Sequence, residues 1–140
     1  MLVRDLMTTA VRTIRSDATI EEAFGILKTW RIHQLPVVEA GKVVGIVTDR
    51  DLRGPDGVDH KEPQAARGTT VADVMTVGAN IVSPDTPLVR AARLLLLRGV
   101  GALPVVEDGE LVGILTRSDL LLGLVQLLDR KRAVSARTAA

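Results

Sequence analysis

The chain has 140 residues, 18 of them basic and 17 acidic, so its net charge is only +1. A chain this close to neutral is not expected to bind nucleic acid, and one Phe and one Trp cannot form a base-stacking surface. Its most apolar run, residues 120–128, is well short of the roughly 20 residues that span a membrane. Because there is no cysteine and no secretory signal pattern, we expect a cytoplasmic globular protein.

An internal repeat organises the chain. Shifting the sequence by 68 positions matches residues 3–52 with residues 71–120 without a gap, at 19 identities in 50 positions. Two copies of so small a unit favour a pseudo-twofold pair, in which each repeat covers the apolar face of the other. We therefore predict a first repeat over residues 1–54, a linker over 55–70, a second repeat over 71–130 and a flexible tail over 131–140.

The elements of the first repeat follow in a regular order. Residues 11–14 are β-prone and predict a short strand, and residues 17–19 predict the start of a helix with apolar residues at helical spacing. Two short strands, residues 35–38 and 43–47, are joined by a turn that contains a glycine. A further helix is expected after Thr48.

The second repeat has the same pattern with two additions. Thr86 and Pro87 predict a capping residue followed by proline at the first helical position. The last helix is apolar and is predicted from Asp119 to about Arg130. The order strand, helix, strand, strand, helix in each copy predicts an α/β (α+β) fold of two β-α-β-β-α repeats packed through their sheets.

The motif that suggests a binding function lies where the second strand of each hairpin meets the next helix. It reads Gly45-x-x-Thr48-x-x-Asp51 in the first repeat and Gly113-x-x-Thr116-x-x-Asp119 in the second. An aspartate accepts hydrogen bonds on two oxygens and suits the adjacent hydroxyls of a ribose, whereas free N–H groups at a helix start suit phosphate. The same Thr-x-x-Asp spacing is also that of a helix capping box, which needs no ligand.

These paired segments, each preceded by Leu-Pro-Val-Val and a hairpin, resemble a tandem pair of cystathionine-β-synthase (CBS) domains, also called a Bateman module. The opening Val-x-Asp-x-Met-Thr of both copies is typical of it as well. The resemblance covers residues 1 to about 128. It implies two clefts between the repeats that hold adenosine-containing ligands: AMP, ADP or ATP first, S-adenosylmethionine or NAD(H) less readily. It also implies that Asp51 and Asp119 hold ribose hydroxyls, while Thr48 and Thr116 contact ribose or phosphate.

Other family contacts map onto this chain less closely. The resemblance implies that backbone groups of the first strand line the adenine, here Thr13 with Ile14 and Ile81 with Val82. The position before Leu-Pro is often basic in relatives that bind phosphate, but here it is Gln34 and Ala102. Arg50 and Arg117, inside the motifs, are candidates for that charge, with exposed helix-start residues as the alternative. We include Gly45, Gly113 and Gln34 among the candidate ligand-binding residues.

The remaining features predict neither a metal site nor an enzyme. His33 and His60 are too far apart in sequence to suggest metal ligands. His33 could face the first cleft, but a surface or packed histidine beside Trp30 is the simpler interpretation. No nucleophile with an adjacent base, acid–base pair or glycine-rich phosphate loop is evident. Leucine-rich helix segments, residues 94–97 and 120–128, suggest an internal core, a homodimer surface, or both.

Two functions follow as hypotheses. The first is a non-catalytic sensor that binds an adenosine-containing ligand and modulates a dimer or a separately encoded partner, with no required cofactor. The alternative is a structural dimerisation or interaction module whose clefts are empty.

Overall fold

The computed structural model of the protein describes residues 1–53 and 69–139, so the predicted linker lies outside the described residues except for Thr69 and Thr70. Helices and strands mix as expected, which confirms the α+β class. The helices are α1 (Ile20–Trp30), α2 (Asp49–Leu52), α3 (Val71–Val74), α4 (Leu88–Arg98) and α5 (Arg117–Ala139). The strands are β1 (Gln34–Glu39), β2 (Lys42–Thr48), β3 (Thr76–Val77), β4 (Ala102–Glu107) and β5 (Glu110–Thr116).

Two antiparallel hairpins, β1–β2 and β4–β5, form the centre of the molecule. Their registers are identical after the 68-residue shift: Gln34 pairs with Thr48, and Ala102 with Thr116. Each hairpin closes through two residues of positive φ, 40–41 and 108–109, which is the turn that matches strand twist. Strand β2 contacts β5. This contact confirms that the repeats pack through their sheets.

The helix starts are predicted correctly in one repeat and displaced in the other. Thr19 caps α1 by accepting the Glu22 N–H at 3.2 Å, and α1 buries Ile20, Ala23 and Leu27. The predicted cap at Thr86 is wrong, since α4 begins at Leu88 with Pro87 in the cap position. The Thr86 hydroxyl instead accepts the Ser83 N–H at 3.0 Å, a local turn that competes with capping.

The strand predicted over residues 11–14 is wrong. Only Ile14 pairs, in a single parallel bridge to Val37, and its counterpart Val82 pairs in the same way with Val105. The Ile14 N–H donates to the Pro36 carbonyl at 3.1 Å. The chain leaves the sheet directly afterwards, because a turn closes from the Arg15 carbonyl to the Ala18 N–H at 3.2 Å.

The opening segments of the two repeats are exchanged. Val3, in a 3₁₀ turn, is fully buried in the apolar cluster of the second repeat, whereas Val71 of α3 is fully buried in that of the first. The Val3 N–H donates to Thr86 at 2.9 Å, and the Val71 N–H donates to Ala18 at 2.8 Å. The opening segment of each repeat therefore packs against the apolar cluster of the other repeat.

Helix α5 is longer than predicted. It runs from Arg117 to Ala139, past the end expected near Arg130, so residues 131–139 are helical where we expected a flexible tail. These residues are mostly Ala, Arg and Lys with no Gly or Pro, and such a sequence favours helix. Within α5 only Gly123 is buried. None of the described helices is both long and apolar enough to cross a membrane.

Candidate functional site

Two clefts lie on either side of the packed hairpins, and the 68-residue shift relates their linings. The first cleft, about 360 Å³, contains the start of α2 with Thr48, Arg50 and Asp51. The second, about 270 Å³, contains Thr116 and Ser118 at the start of α5. Ligand pockets usually measure about 300–1,000 Å³. The first cleft is therefore in the range for a small ligand, and the second falls just below it.

The Thr and Asp of each motif are brought together as a helix cap. Thr48 accepts the Asp51 N–H at 3.3 Å, and the Thr48 N–H donates to Asp51 Oδ2 at 2.8 Å. The second motif repeats this arrangement, with 3.1 Å for the Asp119 N–H and 2.9 Å for the Thr116 N–H. The capping alternative is thus confirmed. Capping uses Oδ2 of each aspartate. Oδ1 of Asp51 is left for a ligand, whereas Oδ1 of Asp119 accepts the Thr8 hydroxyl at 3.1 Å.

The two motif glycines meet protein backbone rather than an open cleft. A Cβ on Gly45 would lie 2.7 Å from the Thr76 carbonyl oxygen, and one on Gly113 would lie 3.0 Å from that of Thr8. Thr76 and Thr8 belong to the exchanged opening segments, which pair with β2 and β5. Both glycines are buried and allow this close crossing. Neither lines its cleft, so the expected ligand contact is not what the structure shows for them.

Both candidate arginines lie in the first cleft. Arg50 comes from α2, whereas Arg117 comes from α5 and enters from the other repeat. The Arg117 N–H donates to the Gly101 carbonyl at 3.1 Å, which holds the start of α5 at this cleft. Gln34 lines both clefts. The first cleft thus brings together two guanidinium groups and the Asp51 carboxylate.

The candidates for adenine contact lie elsewhere. Thr13 and Ile14 line a separate depression with Arg15 and Asp17. Ile81 and Val82 line a cavity of about 640 Å³, which includes neither Thr-x-x-Asp motif. Contact of these four residues with adenine stays a prediction.

The sequence analysis missed the stretch just before those positions. Residues Thr76, Gly78, Ala79 and Asn80 line the first cleft, and Thr8, Ala10, Val11 and Arg12 line the second. The Met-Thr pair that opens both stretches is identical in the two repeats. That identity was the available signal, but it gave no hint that each stretch serves the cleft of the other repeat's motif.

His33 lies at the surface and lines the second cleft, not the first. Its Nδ1 lies 3.1 Å from Asp49 Oδ2, and its side chain is exposed. His60 lies outside the described residues. Within residues 1–53 and 69–139, no group of three or more His, Asp or Glu side chains is placed to hold a metal ion.

Comparison with known proteins decides the family. The model of the CBS domain family matches residues 3–54 and 71–126, which cover both repeats. The chain belongs to the CBS domain family. A CBS domain-containing protein of Dictyostelium discoideum is 37% identical over 137 residues, covering 92% of this chain and 94% of its own length.

Solved CBS pairs share the fold and hold adenosine compounds. CBSX2 from Arabidopsis thaliana, solved in complex with AMP, has a TM-score of 0.78 at 30% identity, covering 89% of this chain and 97% of its own. The CBS domain pair of protein MJ0100, solved with 5'-methylthioadenosine and S-adenosyl-L-methionine, has a TM-score of 0.74 at 28% identity, covering 94% and 98%.

Proposed function

We propose that this CBS pair is a non-catalytic regulatory module that binds an adenine nucleotide in its first cleft. The observation that carries the proposal is the meeting of Asp51 with Arg50 and Arg117 in that cleft. Among the described residues, Asp51 Oδ1 accepts no hydrogen bond, since the cap bonds go to Oδ2. An acceptor oxygen suits a ribose hydroxyl, and guanidinium groups suit phosphate.

The charge of the first cleft favours phosphate-bearing ligands. Arg50 and Arg117 are both exposed, so an incoming anion reaches them without first displacing a buried partner. Asp49, the other carboxylate in the cleft, is engaged by His33 and by Arg53 at 3.4 Å. The guanidinium groups of Arg50 and Arg117 favour the phosphates of a nucleotide over the sulfonium of S-adenosylmethionine. We therefore rank AMP, ADP and ATP above S-adenosylmethionine.

Thermal unfolding in the presence of candidate ligands tests the proposal. A nucleotide at about 100 times its Kd adds about 2.7 kcal/mol to the free energy of unfolding. We expect AMP, ADP or ATP to raise Tm by several degrees and Asp51→Asn to abolish the rise. The single amide oxygen of Asn is needed for the Thr48 cap, so its NH2 group, a donor, would face the ribose hydroxyls.

Asp129→Asn is the matched control for that experiment. It removes the same charge from an exposed position of α5 that lines neither cleft, so its ligand-induced rise should equal that of the unmodified protein. Failure of every nucleotide to raise Tm would reject the nucleotide proposal. It would favour the alternative of an interaction module with empty clefts.

Self-association is the second proposed function, and α5 favours it. Leu121, Leu124, Val125 and Leu128 are each half or more exposed at helical spacing. We propose that this stripe pairs with the same stripe of a second copy, and that nucleotide binding modulates the homodimer or a separately encoded effector. The proposal assigns no chemical step to the chain.

A further inference from the structure

The two clefts differ at positions that the repeat makes equivalent. Three glycines of the first cleft, Gly78, Gly99 and Gly101, correspond to Ala10, Arg31 and His33 in the second. Each exchange adds side-chain volume. The second cleft is accordingly smaller, at about 270 Å³ against about 360 Å³.

The two motif carboxylates differ as well. Asp119 Oδ1 accepts a hydrogen bond from the Thr8 hydroxyl at 3.1 Å, in addition to the cap bond on Oδ2. Thr76 is the counterpart of Thr8, yet its hydroxyl makes no hydrogen bond to Asp51. Both oxygens of Asp119 are therefore engaged within the protein, and Asp119, unlike Asp51, is not among the residues that line its cleft. Asp51 keeps Oδ1 unengaged among the described residues.

We propose that the clefts are unequal nucleotide sites: the first binds, and Thr8 holds the second in a weaker state by occupying Asp119. This inference rests on the proposed function, because it takes the ligand to be a nucleotide whose ribose needs a free carboxylate oxygen. In the second cleft, ribose must share Asp119 Oδ1 with the Thr8 hydroxyl or displace it. One net hydrogen bond corresponds to about fivefold in affinity, and the smaller volume weakens binding further.

The fluorescence of Trp30 reports on the second cleft. It is the only tryptophan of the chain, and the Arg12 guanidinium lies 3.5 Å from the centre of its ring. Arg12 lines the second cleft and not the first. Occupation of the second cleft should therefore change the Trp30 emission, whereas occupation of the first should leave it unchanged.

Titration of the full chain with AMP tests the inference through two readouts. Calorimetry should show one tight AMP-binding event per chain, and Asp51→Asn should remove it. Trp30 emission should change only at AMP concentrations at least about fivefold higher, the factor set by the Thr8 hydrogen bond. Thr8→Val keeps the side-chain shape and the backbone pairing with Ile114 but removes the hydroxyl. It should move the emission midpoint about fivefold lower while the tight event stays in place.

Thr9→Val is the matched control, since Thr9 is exposed and lines neither cleft; it should move neither readout. Two events of equal affinity in the unmodified protein would overturn the inference and leave the proposed function standing. An emission midpoint unchanged in Thr8→Val would overturn it too. Absence of binding of AMP, ADP and ATP in every variant would reject the proposed function and the inference together.

Discussion

At the scale of single residues, the motif glycines show how the absence of a side chain lets the two repeats pack in close contact. Gly45 and Gly113 allow the opening segment of the opposite repeat to cross the hairpin at backbone contact. Each crossing brings a threonine, Thr76 or Thr8, to the edge of a cleft. These glycines therefore shape the clefts indirectly, by admitting the segments that line them.

Gly45→Ala should destabilise the fold. The new Cβ would lie 2.7 Å from the Thr76 carbonyl oxygen and 2.9 Å from Met75 Sδ, so the crossing backbone must shift. Overpacking of this kind costs about 1–3 kcal/mol. Urea unfolding monitored by far-UV circular dichroism measures the change in the free energy of unfolding.

Gly25→Ala is the control, with the opposite sign. Gly25 lies exposed inside α1, where a Cβ meets nothing within 4 Å. Alanine there should stabilise the protein by about 0.5–1 kcal/mol, because it is the better helix former. Equal effects of the two substitutions would show that the crossing at Gly45 tolerates a side chain.

Much of the site could be predicted at this scale, and the reason for the rest is specific. Thr48 precedes α2 and Asp51 lies in its first turn, so local spacing was enough to pair them. Arg117 enters the first cleft from the other repeat, and the Thr8 hydroxyl bonds Asp119 across 111 positions. Contacts over that separation depend on how the repeats dock, which the sequence of one repeat does not contain.

At the scale of elements, α3 is the helix of the second repeat that packs into the core of the first. Asp73 caps the start of α3: its Oδ2 accepts the Thr70 N–H at 2.9 Å and the Thr70 hydroxyl at 3.0 Å. These two hydrogen bonds lower the pKa of the Asp73 carboxyl below its ordinary value, the backbone bond contributing most. The cap holds the helix that places Val71 in the core of the first repeat.

Asp73 should make a pH-dependent contribution to stability. Because its pKa is lower in the folded protein than in the unfolded chain, it stabilises the fold above the unfolded value of about 3.9. That contribution is lost as the pH falls through the lowered folded pKa. We expect Asp73→Asn to be less stable than the unmodified protein at neutral pH, and the difference in urea midpoint to vanish in strong acid.

Asp129→Asn serves as the control for that series, because Asp129 is exposed on α5 and makes no ion pair in the described part of the chain. Its urea midpoint should follow that of the unmodified protein at every pH. A difference for Asp73→Asn that persists undiminished in acid would contradict the assignment, since the protonated carboxyl and the amide would then still behave differently.

Element prediction succeeded where local pattern sufficed. The hairpins carried glycine turns between β-prone runs, and α1 carried a cap before helical spacing. The segment at residues 11–14 has β-prone residues too, but only Ile14 finds a partner strand. A strand forms only where a neighbouring strand pairs with the whole segment. Whether such a partner lies alongside depends on the tertiary fold.

At the scale of the whole molecule, α5 leaves apolar surface that the described chain does not cover. Leu121 and Leu122 are 63% and 59% exposed, and Val134 near the end of the helix is 64% exposed. At 1.5 Å per residue, the 23 residues of α5 extend over about 35 Å. The stripe of Leu121, Leu124, Val125 and Leu128 covers about two turns of this helix. An exposed apolar face of this kind is typical of a helix that pairs with another helix.

Pairing of this stripe with that of a second copy predicts a homodimer that charge will break. The double substitution Leu124→Glu and Leu128→Glu places two negative charges on the stripe, where in a twofold dimer they would oppose the same charges of the partner. Sedimentation should show a dimer for the unmodified protein and a monomer for the variant.

The Tm of the variant at high dilution should be nearly that of the unmodified protein, because both side chains are exposed and substitutions at exposed sites change stability by no more than about 0.5 kcal/mol. Gln126→Glu, on the opposite side of α5, is the matched control and should remain dimeric. An unmodified protein that sediments as a monomer, or a double variant that stays dimeric, would show that the stripe does not join two copies.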